Sequence, residues 1–559
     1  MDRRQFLRRP PAAAAPPPAR DAVELMPGQF ATPALAERIR APRSQPSDAD
    51  RAAALHGPGG DATRAGGGLE PYVPTADMPW TRARARHLLR RTGFGATARA
   101  VNLVQAMTPA EAVDNLVDGA AAVPMPPDPP WRDTPPPHYS APQEERDAYW
   151  RLNDEWVPTY ASGIIDRMIA RGVEGELDAA HLGLREAMAL MWHNHVVTDL
   201  EIHYFAPWLV RYWTMLQRNA LGNVRTLVHE AGRDPAMLIY LNGFENRAGS
   251  PNENYARELF ELFTMGIEGP DGTPNYTQAD VTEAARALTG WGIDVYGETA
   301  TPLDGVFVPP WHDDGPKTIF GQTGPWGYDD VVRLVFEQRA AETAHFVCRK
   351  LYRTFVHHVP DEAVVAALAD RLLAADFEIE PVLRALLGSR HFFDASLVGA
   401  AIRSPIQGMY GISRELGLDP DAEDGDFPLT LAWAANLAGQ WILYPPNVAG
   451  WPGGRNWIDT SRLSTRWSTV NWVVWRQNLY RELTRAYPTP TRVSARALTR
   501  ALADDWLGLP VGEDRIDELV TLLLNGQDEQ YWDPDDPSAE PRLRGLILRL
   551  SELPEYQLA

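Results

Sequence analysis

Seven side chains stand out for what their types and spacing allow. Glu258 and Glu261 lie three apart in the segment 250–266. On a helix they share a face, with Asn254 beside them. Two carboxylates on one face either divide acid and base roles or hold a metal. The same segment also reads as plain helix architecture. Ser250 and Glu253 have the spacing of a capping box, and Pro251 suits a first helical position. Glu253 and Arg257 are placed to pair along the helix, and Leu259, Phe260, Leu262 and Phe263 bury another face. His193 and His195 are two apart, so on a helix their rings point about 200° away from each other. They converge as metal ligands only where a helix ends, and are otherwise core histidines. Asp199 lies one turn beyond His195, in position to orient its ring. His312, Asp313 and Lys317 fall in one long stretch rich in glycine, proline and aspartate, 292–327, where turn chemistry and a functional loop are both plausible uses.

Two chemistries follow from these groups. With a divalent metal, His195, Asp313 and Glu258 are the ligands, His193 and His312 are further candidates, and Lys317 stabilises developing negative charge. Without one, Glu258 and Glu261 act as acid and base on a glycosidic bond. Either describes a hydrolase of a saccharide or other polymer. The competing reading is a non-catalytic helical scaffold. No P-loop, dinucleotide fingerprint, nucleophile elbow or zincin motif occurs.

The elements that must position these groups are helical. From about Trp80 apolar residues recur at three- and four-residue spacing through most of the chain, and strand-like alternation is scarce. The expectation is an all-α fold: one large multi-helix body over 76–559 behind a flexible leader, 1–75. Its long loops are 292–327 and a tryptophan-rich stretch, 441–466. Seven of the 19 tryptophans lie between Trp433 and Trp475, either filling gaps between helices or stacking on sugar rings. The leader begins with Arg3 and Arg4 before Phe6 and Leu7, a twin-arginine pattern that points to a periplasmic or secreted protein. The following alanine–proline run is a poor apolar segment, which leaves a cytoplasmic address open.

Charge excludes one class of partner. The chain of 559 residues has a net charge of −21, but the first 100 residues carry +7, which leaves −28 on the remainder. Counterion-release binding to nucleic acid does not suit such a body. Arg82, Arg86 and Arg90 share a helix face and are expected to pair internally with it. No apolar run is long enough for a membrane span. One cysteine, Cys348, rules out an internal disulfide. Basic residues comprise 51 arginines and two lysines, Lys317 and Lys350. That imbalance draws attention to Lys317 within its loop.

Seven segments in order resemble the bacterial family known as domain of unknown function 1800. They are LLRRTGFGAT (88–97), MWHNHVV (191–197), DPAMLIYLNG (234–243), PNENYARELFELFTMGI (251–267), YTQADVTEAARALTGW (276–291), HDDGPKTIFG (312–321) and PPNVAGWPGGRNW (445–457). The resemblance implies a mostly helical fold, frequent export and a sulfatase-like companion protein as partner. It implies no activity. Gln278 and Gln407 stand where the family tends to carry an acid, which bears on activity if either carboxylate is needed.

Overall fold

The computed structural model describes residues 67–296, 303–416, 427–475 and 487–559. The twin-arginine pattern, most of the leader and residues 297–302 of the long loop lie outside them. The chain is 58% helical with 5% strand, and its helices share one continuous apolar core. No described helix is long and apolar enough to cross a membrane.

The basic face of the first long helix, Arg82–Arg91, turns inward. Thr81 caps the helix by accepting from the Arg84 amide. Arg82 pairs with Asp505, and Arg90 with Glu415 at 2.9 Å. Both partners come from the acidic body, so the basic helix ties distant parts of the chain together. Glu176–His193 runs through the middle, packed against Pro109–Ala122, Ala206–Arg218 and Gln143–Met168. Trp192, Trp208 and Trp213 are fully buried around it. Ala340–Phe355 packs on Glu362–Ala374.

The two long loops contain more structure than their composition suggests. Within 291–324 the backbone forms two antiparallel hairpins. Trp291–Ile293 pairs with Gly305–Phe307, and Lys317–Ile319 with Gln322–Gly324. The strands are three residues each, too short for a period-two pattern to be read from sequence. In the tryptophan-rich stretch, a 3-10 turn, Gly454–Trp457, leads to a helix that begins at Thr460, inside the expected loop. Trp441 stacks on Tyr444 with ring centroids 4.0 Å apart, and Trp441, Trp451 and Trp457 are all buried. Trp441 fills the interior, while Trp451 and Trp457 are buried along the edge of a cleft.

Candidate functional site

The residues singled out by spacing each have a definite place. Ser250 and Glu253 do not form a capping box. The helix starts only at Asn254, with Glu253 at its N-cap and no side-chain cap bond. Ser250 instead donates its amide to the Arg247 carbonyl, and Asn246 accepts from the Asn252 amide, so a tight turn precedes the helix. Glu253 pairs with Arg257 at 2.9 Å, as the spacing suggests. After Glu258 the backbone widens into a π turn, Leu259–Phe263. The wider turn rotates Glu261 away from the α-helical register, so three-residue spacing no longer implies a common face. Glu261 accepts from the Tyr276 hydroxyl at 2.6 Å and from Arg257 at 3.4 Å; Glu258 is buried. Gln278 bridges the nearby pair: it donates to Glu253 at 2.9 Å and accepts from Arg257 at 2.8 Å. An ionised glutamate at 278 has no hydrogen to donate to Glu253.

The helix Glu176–His193 does end between the two histidines, with Asn194 as its C-cap. The rings nevertheless go to different partners. The Tyr212 hydroxyl donates to the Val196 carbonyl, so His193 Nδ1 donates to that hydroxyl, at 2.9 Å. His195 Nε2 donates to the Phe263 carbonyl at 2.9 Å. Burial holds His193 neutral, its pKa pushed down to about 3, and burial lowers His195 in the same direction. Asp199 caps the short helix that follows by accepting from the Glu201 amide. Asp313 holds Arg286 through two bonds, at 2.8 and 3.1 Å, and this pairing lowers its pKa. His312 donates to the Thr289 carbonyl. Among the described residues, no three His, Cys, Asp or Glu side chains are gathered where a metal ion could be held.

Lys317 is a structural lysine. Its side chain is 1% exposed, and Nζ donates to the carbonyls of Asp313 and Trp326. Lys317→Arg forces a longer planar group into this well and is expected to cost about 1–3 kcal/mol by overpacking. A thermal melt of the variant checks this; an unchanged midpoint would mean the well has room to spare.

A different set of residues converges on a cleft of about 200 Å³. One wall is the face Lys350, Arg353 and Thr354 of the helix Ala340–Phe355, at the spacing that brings side chains side by side. His358 follows this helix. Arg91, the last residue of the first long helix, enters from behind. It donates to the carbonyls of Phe355 at 2.9 Å and Thr354 at 2.7 Å, so a cation caps the C-terminus of the lysine-bearing helix. The opposite wall is the tryptophan-rich loop, with Trp451, Gly453, Gly454 and Trp457. Asn194 fixes that loop: its amide donates to the Trp451 carbonyl at 3.3 Å and accepts from the Trp451 amide at 2.7 Å. Gly453 and Gly454 both have positive φ, +74° and +58°, a conformation that favours glycine. Ser404 and Gln407 close the end as a complete capping box for Pro405–Glu415. Glutamine performs this task as glutamate would, so its amide costs the cap nothing.

The electrostatics of the cleft oppose those of the chain. Among the described residues, three cations line it, and no aspartate or glutamate does. Neither Arg91 nor Lys350 has a carboxylate within ion-pair distance among the described residues. Burial, then the charge of Arg353, pushes Lys350 down to about 7. Burial, then Arg349, pushes Arg353 down to about 9. Burial, then His357, lowers His358 to about 4, and its Nδ1 has no hydrogen-bond partner among the described residues. The shifts of Lys350 and Arg353 report positive charge that is costly where it stands and that an anion would relieve. Sequence reasoning did not single out these residues as a site. Arg91 lies in the quoted segment 88–97, and Lys350, the second lysine, stands in an ordinary helix and so drew less notice than Lys317.

The model of a family described as "Protein of unknown function (DUF1800)" matches residues 87–558. No curated protein and no solved structure matches the chain.

Proposed function

Given that the chain belongs to the DUF1800 family, we propose that it binds a ligand through an oxyanion group, a carboxylate, sulfate or phosphate, in the cleft between Ala340–Phe355 and the tryptophan-rich loop. The observation that carries this is three lining cations with no lining carboxylate among the described residues, in a chain of net charge −21. Cations placed together in a partly closed cleft repel one another, and an oxyanion there gains charge-assisted hydrogen bonds of the strong kind. Three of the seven segments that carry the family resemblance, 88–97, 191–197 and 445–457, contribute lining residues. The buried indoles of Trp451 and Trp457 give the far wall an apolar character suited to the carbon skeleton of such a ligand, a sugar acid included. Hydrolysis through Glu258, Glu261 and Asp313, and a scaffold for a sulfatase-like companion, draw less support. Asp313 is held by Arg286, and Glu261 by Tyr276 and Arg257.

Calorimetric titration with sulfate, phosphate, glucuronate and glucose tests the reading. The three anions are expected to bind and glucose is not. Arg91→Gln is expected to weaken anion binding about 10- to 100-fold, the loss of one charge-assisted contact. Affinity is expected to fall as pH rises through about 7, where Lys350 sheds its proton. Among the described residues, Arg91, Arg353 and His358 line the cleft with Lys350, and His195 lies within electrostatic reach of it. Both arginines keep their charge across that range, and both histidines are already neutral, so they do not set the slope. Equal heats with glucuronate and glucose would sink the proposal.

A further inference from the structure

Resting on that reading, we propose that Lys350 is an amine nucleophile that captures the carbonyl carbon of an anionic aldehyde or 2-oxo acid held in the same cleft by Arg91 and Arg353. The contrast between the chain's two lysines carries the inference. Lys317 is sealed in its well and bonded to two backbone carbonyls. Lys350 is half-buried, lines the cleft, and has one backbone bond, to Leu262 at 3.2 Å. Its Nζ lies 5.0 Å from the centre of the Phe346 ring, and no carboxylate pairs with it among the described residues. If the cleft needed charge alone, arginine would supply it, as it does at 51 of the 53 basic positions. Lysine differs in offering a lone pair once it loses its proton. Burial beside the Phe346 ring and the neighbouring Arg353 guanidinium are surroundings that leave a lysine neutral near pH 7, where burial places this one. Arg353, which favours the neutral amine, would together with Arg91 anchor the anionic end of the substrate, so that its carbonyl is presented to Nζ.

The step balances without any co-reactant. The Nζ lone pair forms the C–N bond, and the carbonyl π pair moves to oxygen, which takes up a proton. Nitrogen loses a proton, giving a neutral carbinolamine. Its nitrogen lone pair then forms C=N as the hydroxyl, protonated, departs as water. Loss of the last N–H proton gives the imine. Amine and carbonyl become imine and water, and nothing is oxidised or reduced.

The test is reductive trapping. Full-length protein is incubated with glyoxylate, or with propanal at the same concentration, in the presence of sodium cyanoborohydride, which reduces the imine to a stable secondary amine. Adducts are mapped by peptide mass spectrometry, which separates Lys350 from Lys317 and the N-terminal amine. Glyoxylate is expected to label Lys350 at least about tenfold faster than propanal, because the carboxylate holds it in place. Sulfate is expected to slow that labelling. Lys350→Arg, checked for an unchanged melting profile, is expected to lose the adduct. If sulfate binds but Lys350 takes no adduct, the nucleophile proposal is overturned and the anion site stands. If glyoxylate and propanal label Lys350 equally and sulfate slows neither, the anionic substrate class falls together with the reading beneath it.

Discussion

Glu415→Ala is expected to destabilise the protein by about 3–5 kcal/mol, because it leaves buried positive charge without its counter-ion. The Glu415 carboxylate forms an ion pair with Arg90 at 2.9 Å and accepts from Arg403 at 3.1 Å. The three side chains are 0%, 2% and 3% exposed, respectively, so water cannot take the place of the carboxylate. Arg90 also donates to the backbone carbonyls of Asp505 and Trp506, and Arg403 to that of Gln407. These neutral acceptors remain after the substitution but do not cancel charge. Glu415→Gln separates the two contributions, since it keeps the shape and one acceptor and removes the charge. It is expected to recover less than half of the loss. Denaturant midpoints for the wild type and both variants measure this. A loss below about 1 kcal/mol for Glu415→Ala, the range of a solvent-exposed pair, would show that water reaches the site. Arg403 directly precedes Ser404, which lines the cleft, so anion affinity is expected to fall with stability.

The reach of the sequence is clearest where physics is local. Helical spacing is a property of neighbouring residues, and the body is helical as expected. The inward turn of Arg82 and Arg90 was legible from charge alone, since a basic face in an acidic body has opposite charges to meet. The partners were not legible: Asp505 and Glu415 lie hundreds of residues away. Asp313 shows the same limit at closer range. Its loop setting suggested chemistry, but Arg286, 27 positions earlier, claims its carboxylate. The misplaced capping box has a local cause. Asn246 and Arg247 fold the chain back onto 250–252, which delays the helix to Asn254. The π turn at Leu259–Phe263 leaves no signature in residue spacing, and it moves Glu261 off the expected face. The cleft draws on residues near 91, 194, 350–358 and 449–457. No window of sequence contains them together, so only the packing of helices could reveal that the cations meet.

Gly450→Ala is expected to damage both fold and cleft, at about 3–4 kcal/mol. Two effects combine. Gly450 has φ +80°, and a side chain in that region costs about 1–2 kcal/mol. A Cβ would also lie 2.1 Å from Asn194 Oδ1, which must then move. Moving it breaks the two bonds that fix Trp451, worth about 1 kcal/mol each. Trp451 leads into Gly453 and Gly454, so the wall of the cleft shifts, and anion affinity is expected to drop at least about tenfold, or 1.4 kcal/mol of binding. A double-mutant cycle with Asn194→Ala distinguishes this account from simple backbone strain. Asn194→Ala alone loses the same two bonds, at about 2 kcal/mol. The double variant pays the φ strain but has no Oδ1 to strike, and the bonds are lost only once. The sum of the single effects should therefore exceed the double effect by about 2 kcal/mol, within the coupling expected of side chains in contact. Strict additivity in the denaturation midpoints would mean that Asn194 and Gly450 act independently, and that something other than their close approach holds the tryptophan loop against the cationic helix.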